Sequence, residues 1–196
     1  GLHILLLYRK SETLSGLSQA YHERKPIREI YQRIYRKSRT KEMTVRQKSY
    51  KFRIYPTKEQ TVMFSKTFGC SRAIWNMMLA DKIKHYEETG QTLKNTPAQY
   101  KKEFEWLKEV DSLALANVQL NLQKAYKSFF QSGFGFPKFK KKRHRQSYKT
   151  NNQNGTITVL DGKVKLPKIG WVKLNQHREM SGVIKSATIS MTETGK

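Results

Sequence analysis

One short strand pattern, set alone in front of a long helical stretch, limits the folds open to this chain more than any other feature. Residues 49–55 read S-Y-K-F-R-I-Y and alternate cleanly. Tyr50, Phe52 and Ile54 fall on one face; Lys51, Arg53 and Tyr55 fall on the other. Period two with aromatic and β-branched residues predicts a strand. Pro56 ends it, and Thr57 offers an N-cap for a helix beginning at Lys58. From Lys58 to about Glu88 the apolar residues recur at helical spacing, through Phe64, Phe68, Ile74, Met77, Met78, Ile83 and Tyr86. Gly69 offers a break into two helices, and Gly90 closes the stretch. Residues 97–109 predict a second helical segment, with Pro97 early in it and Tyr100, Phe104 and Leu107 on one side. Residues 112–131 predict a third, with Leu113, Leu120, Ala125 and Phe129 apolar and Leu115, Val118 and Leu122 widening the stripe.

Period two then returns. T-I-T-V-L-D-G-K-V-K-L-P predicts a hairpin with Asp161-Gly162 as a type I′ turn. In that register Val159 pairs with Val164, Ile157 with Leu166 and Thr158 with Lys165. Two more strands are expected at 170–174 and 183–191. A lone early strand exposes both edges unless the late strands pair with it. The expected fold is α+β: a small β-barrel or curled sheet with a three-helix unit inserted after its first strand. The expected boundaries are 44–56 for the first barrel strand, 57–132 for the helical insertion, and 133–196 for a basic linker and the remaining strands. Residues 1–42 are basic and rich in Tyr and Arg, and they open on L-H-I-L-L-L-Y. R-E-I-Y-Q-R-I-Y-R-K, with Ile30 and Ile34 four apart, predicts one amphipathic helix there. Met43 then marks the expected natural start. The segment before it is expected to be a leader, either not native or flexible.

Charge decides the partner class. The formal net charge is +24 over 196 residues, and such an imbalance destabilises a compact chain unless a polyanion neutralises it. Hydrophobic residues at 37% and aromatics at 11% are nonetheless enough to build a core. Nucleic acid is the expected partner, ahead of an acidic membrane surface, and no small-molecule substrate is indicated. No run approaches the ~20 apolar residues of a membrane span. The single cysteine, Cys70, cannot form an internal disulfide or a Cys-rich zinc site. It is expected to be a small buried residue in an intracellular protein.

The basic signal is concentrated in G-F-G-F-P-K-F-K-K-K-R-H-R-Q-S-Y-K-T, residues 133–150. Lys138, Lys140, Lys141, Lys142, Arg143, Arg145 and Lys149 carry no compensating acid. Such cations contact phosphates and give salt-dependent affinity with little sequence information. Phe134, Phe136, Phe139 and Tyr148 offer faces for stacking on unpaired bases or for anchoring the segment; anchoring is the expectation for Phe136 and Phe139. Gln146, Ser147, Thr150, Asn151, Asn152, Gln153 and Asn154 can bond base edges or 2′-hydroxyls, or simply form a polar loop. Lys51, Arg53, Lys163 and Lys165 add cations on strands. Catalysis has much less to draw on. Residues 112–196 hold only Asp161, Glu179 and Glu193 as acids, and Asp161 is better used in the hairpin turn. The acids of the helical region alternate with lysines and read as surface ion pairs. His144 sits among cations that disfavour its protonation, and His85 and His177 are isolated. The chain shows no complete active site and no catalytic carboxylate set.

Seven stretches together resemble one family. They are Y-K-F-R-I-Y-P (50–56), F-G-C-S-R-A-I-W-N (68–76), W-L-K-E-V-D-S (106–112), A-Y-K-S-F-F (125–130), G-F-P-K-F-K-K-K (135–142), Q-S-Y-K-T (146–150) and L-P-K-I-G-W-V-K (166–173). In order and spacing, residues 44–196 resemble the amino-terminal half of the TnpB/OrfB proteins, encoded by insertion sequences of bacteria and archaea and long labelled transposases. The resemblance implies an RNA-guided DNA endonuclease related to type V CRISPR effectors. It implies a wedge-type, OB-like barrel with an inserted helical recognition domain, often named helix-turn-helix. It places the RuvC-like nuclease, its divalent metal and a zinc element in the other half, so no cofactor is expected in this chain. The implied partners are guide RNA and double-stranded target DNA in a bacterial or archaeal cytoplasm. The resemblance carries motif reading to Lys94 and Asn95, to Ser112, Leu113 and Ala116, and to Gln153 and Asn154. The alternative is a stand-alone helix-turn-helix DNA-binding protein that uses no guide RNA.

Overall fold

The computed structural model describes residues 1–10, 46–143 and 145–192. The expected helix around Ile30 and Ile34, Met43 and His144 lie outside the described residues. Among the described residues, seven strands and three α-helices run in chain order: β1 (Leu2–Lys10), β2 (Arg46–Tyr55), α1 (Lys58–Thr89), α2 (Pro97–Glu103), α3 (Ser112–Ser132), β3 (Gln146–Asn151), β4 (Thr158–Leu160), β5 (Lys163–Leu166), β6 (Gly170–Leu174) and β7 (Val183–Met191). The strands form one antiparallel sheet in the order β3-β7-β1-β2-β6-β5-β4. The class is α+β, as expected.

Two features of the sheet differ from the sequence reading. First, 49–55 is not the first strand. It belongs to β2, and β1 lies between β2 and β7, inside the segment expected to be a leader. Leu2, Ile4, Leu6 and Tyr8 are all buried in the sheet core. Second, the sheet is open, not closed into a barrel. The edge strands β3 and β4 are neighbours in sequence but share no ladder. Their link is held by a side chain instead: Asn152 Oδ1 accepts from the Ile157 amide at 2.9 Å, and Asn152 Nδ2 donates to the Ile184 carbonyl at 3.0 Å.

Elsewhere pattern and structure agree. Tyr50, Phe52 and Ile54 are buried while Lys51, Arg53 and Tyr55 are exposed. Val159 pairs with Val164 and Thr158 with Lys165, and Asp161 and Gly162 take φ of 47° and 67°, the left-handed pair a type I′ turn needs. Thr57 caps α1 in a reciprocal box: Gln60 N donates to Thr57 Oγ1 at 3.3 Å, and Thr57 N donates to Gln60 Oε1 at 3.1 Å. Gln60 Nε2 also donates to the Trp171 carbonyl at 2.8 Å, fixing the start of α1 on β6.

The helix α1 serves two cores. Phe64 and Phe68 join the sheet core with Ala114 of α3. Ile74, Trp75, Met78 and Leu79 build a helical core with Tyr100, Leu107, Leu115, Val118 and Leu122. Gly69 does not break the helix, because its neighbours Phe68, Cys70 and Ser71 are buried and hold the backbone helical. The 97–109 segment does break. It closes at Phe104, whose amide donates to the Tyr100 carbonyl at 2.8 Å, and continues as a 3₁₀ turn over Glu105–Lys108. On α3 the residues expected to widen the stripe carry the core, and Leu120 is 48% exposed. Among the described residues no helix is long and apolar enough to cross a membrane.

Candidate nucleic-acid interface

The basic segment between α3 and β3 is fixed by its backbone. Trp75 Nε1 donates to the Lys138 carbonyl at 2.9 Å. The Asn76 amide clamps Lys140 on both sides: its Nδ2 donates to the Lys140 carbonyl at 3.0 Å, and its Oδ1 accepts from the Lys140 amide at 2.8 Å. An asparagine amide here does the work of a neighbouring strand. Pro137 is buried, and Phe136 meets Tyr126 and Phe129 edge-on at 5.5 and 5.3 Å. Phe136 thus contacts α3 as an anchor would, at 42% exposure, while Phe139 is 48% exposed and Phe134 68%. With the main chain held, the side chains of Lys138, Lys141, Lys142, Arg143 and Arg145 remain exposed. Lys140 is exposed as a residue, but its ammonium sits 4.0 Å from the centre of the Trp75 ring. Desolvation there lowers its pKa.

Three residues expected to touch nucleic acid have inward roles instead. Tyr148 is buried edge-on against Phe68, and burial, then the Asp111 carboxylate, push its pKa up. Its ring is no exposed stacking face. Thr150 is buried and donates to Asp111 Oδ2, while Asp111 Oδ1 accepts from the Leu113 amide at 3.0 Å and caps α3. Asn95 is buried in the helical core, donating to the Met78 carbonyl at 3.1 Å and to Tyr100 Oη at 2.9 Å; its own oxygen has no protein partner. Thr150 thus links β3 to the start of α3, and Asn95 links two helices.

The other expected contacts fall on separate surfaces. Lys94 and Ser112 are exposed in the helical unit, where Ser112 accepts from Lys101 Nζ at 2.7 Å. Gln153 and Asn154 are exposed in the β3–β4 link, with Asn154 at φ 52°. Lys51 and Arg53 are exposed on the sheet face that also carries Lys163, Lys165 and Lys173, with β2 three strands from β3. Lys163 stands directly opposite Lys173, a like-charge pairing that costs stability unless an anion covers it. Lys149 lies on β3 beside the cleft formed by α1, α3 and the basic segment. Sequence reasoning missed Ser71, Arg72, Asn117 and Asn121, which line that cleft. Their signal is spacing: 71 with 75, 72 with 76, and 117 with 121 are i,i+4 pairs on two facing helices.

No three His, Cys, Asp or Glu side chains come together to hold a metal among the described residues. Glu88, Glu105 and Glu109 pair with Lys84, Lys108 and Lys66, and Asp81 accepts from Tyr100 Oη. Cys70 is buried, and burial raises its pKa. The arrangement suits binding of an anion, with these acids already paired.

Comparison with known proteins agrees on one family. A family profile described as a helix-turn-helix domain, of OrfB type, matches residues 43–91. Those residues comprise β2 and the single unbroken helix α1. Two relatives carry the name "Putative RNA-guided DNA endonuclease". InsQ of Escherichia coli (strain K12) is 28% identical over 160 residues, covering 75% of this chain and 38% of that protein. The other, from Streptomyces pristinaespiralis, is 30% identical over 125 residues, covering 57% of this chain and 31% of its own. Virulence protein VsdF of Salmonella dublin is 33% identical over 105 residues, covering 45% of this chain and 88% of that protein. The chain thus spans less than two-fifths of the length of the two endonuclease-named relatives. With its seven sequence blocks in order, the chain belongs to the TnpB/OrfB family and corresponds to its N-terminal part.

Proposed function

We propose that this chain is the nucleic-acid-binding part of an RNA-guided DNA endonuclease, holding a guide RNA and double-stranded target DNA. The observation that carries this reading is the basic segment, without acids in its sequence, whose backbone is pinned to Trp75 and Asn76 while Lys138, Lys142, Arg143 and Arg145 stay exposed. In this reading the sheet with the first half of α1 is the wedge-like unit. The helical unit lies between β2 and β3. Lys94, Ser112, Gln153 and Asn154 read the target-adjacent motif, and the basic segment and the lysines of the outer sheet face hold phosphates. Cutting, with its divalent metal and zinc, belongs to a nuclease domain outside residues 1–196, in a bacterial or archaeal cytoplasm.

The test is to purify the chain under mild salt and sequence the nucleic acid that comes with it. One defined structured RNA, bound tightly enough to be protected from nuclease, is the expected result. A second reading, a stand-alone helix-turn-helix DNA binder, is favoured by the description of the family profile matched at 43–91. Tight duplex-DNA binding with no RNA enriched selects it and ends the first.

A further inference from the structure

We propose that the cleft between α1, α3 and β3 is a built seat for one backbone phosphate, with Ser71, Arg72 and Lys140 as its ligands. This rests on the reading that the chain binds nucleic acid, and it assigns one phosphodiester to one place.

The cleft has a volume of about 260 Å³. That is below the ~300–1,000 Å³ of small-molecule and cofactor sites but ample for a phosphate and its waters. Arg72, Lys140, Arg145 and Lys149 line it, and no Asp or Glu stands among its described lining residues. Cations this close repel one another, and an anion seated between them relieves that repulsion. One wall is apolar, formed by Phe68, Ala114 and Val118, and suits a sugar ring better than a bare inorganic ion.

Three details mark a seat rather than a charged surface. Ser71 is only 5% exposed, yet its hydroxyl finds no hydrogen-bond partner in the protein. A buried hydroxyl is costly to leave unpaired, and Ser71 is one of the residues lining the cleft. Arg72 is oriented by one bond, Nη1 to Gln146 Oε1 at 3.1 Å. A guanidinium has five N–H donors, so others remain for a phosphate oxygen. Lys140 is held in place by Trp75 beneath its ammonium and by Asn76 on both sides of its backbone. Ser71 and Trp75, like Arg72 and Asn76, are four apart on α1, so one helix face supplies both the ligands and the clamps that position Lys140.

The phosphate can come from RNA or DNA, and a methylphosphonate scan separates the two. Single neutral linkages are placed along the co-purified RNA and along a duplex DNA, and affinity for the full chain is measured by anisotropy. One position in one strand is expected to cost roughly tenfold, and that cost vanishes in Arg72→Met because the ligand is already lost. Arg72→Met also reduces the log–log salt slope by about 0.7–0.9, the value of one phosphate. Lys84→Gln, remote on α1, changes neither. Ser71→Ala gives an independent reading: affinity falls about threefold or more while the melting temperature of the free chain holds or rises. A hydroxyl with a merely structural role would lower it. Binding in which every linkage costs the same, or in which the scan is unchanged by Arg72→Met, overturns the phosphate seat and leaves the nucleic-acid reading intact. A chain that binds neither RNA nor DNA overturns both.

Discussion

Asp111 shows how much one side chain does here. Its two oxygens serve two elements, one accepting from the Leu113 amide to cap α3 and the other from Thr150 on β3, 39 residues later. Asp111→Ala removes the cap, costing about 1 kcal/mol, and strands a buried Thr150 hydroxyl, costing about 1–3 more. The expected loss is ~2–4 kcal/mol in urea unfolding. Thr150→Val in the same background should recover part of it, since no hydroxyl is then stranded; full additivity would show that the two groups do not interact. Tyr148, one turn of the pleat away, gives a pH signature. Its raised pKa means the folded chain keeps a proton that the unfolded chain loses above about 10. Stability from this group is therefore present below pH ~10 and falls as pH rises beyond it. Tyr148→Phe should move the alkaline unfolding midpoint upward; an unmoved midpoint would place the alkaline transition in other groups. Neither role can be read from Q-S-Y-K-T, because the partners that bury these side chains come from other elements.

At the scale of elements, period is legible and context is not. The alternation at 50–55 and the Asp161-Gly162 register can be read because polar residues mark the outer face. β1 cannot, since Leu2 to Leu7 are apolar on both faces apart from His3, and uniform apolarity hides a period of two. The expectation of a closed barrel fails because strand periodicity says nothing of whether the last edges meet. A break at Gly69 is what local propensity favours, and tertiary burial overrides it. Its place in the middle of α1 leads to a prediction. Beyond its chain neighbours and the adjacent backbone of α1, no described atom lies within 4 Å of a Cβ added there, and its backbone is helical. Gly69→Ala should therefore stabilise by about 0.5–1 kcal/mol through the lost backbone freedom of glycine. Thermal and urea unfolding would both report it. A destabilised variant would mean that α1 needs a bend or a close approach at this point.

For the whole molecule, the +24 charge sets fold and function against each other. The cations of the basic segment are legible as a run, but the depth of each is not; Lys140 lies over Trp75 while its neighbours face outward. Replacing the exposed Lys138, Lys142, Arg143 and Arg145 together with glutamine separates the two demands. If these groups hold phosphates, affinity for RNA or DNA falls, and the log–log salt slope becomes shallower by up to about 0.9 for each phosphate released. The free chain should respond in the opposite sense at low salt. Fewer like charges reduce self-repulsion, so its melting temperature should hold or rise. A purely structural segment predicts the reverse pair, lower stability with an unchanged slope. Measuring both quantities on one variant, between ~50 and ~200 mM salt, therefore distinguishes a phosphate-holding arm from a solvated loop. Unchanged affinity and slope would assign the charge of residues 138–145 to something other than nucleic-acid binding.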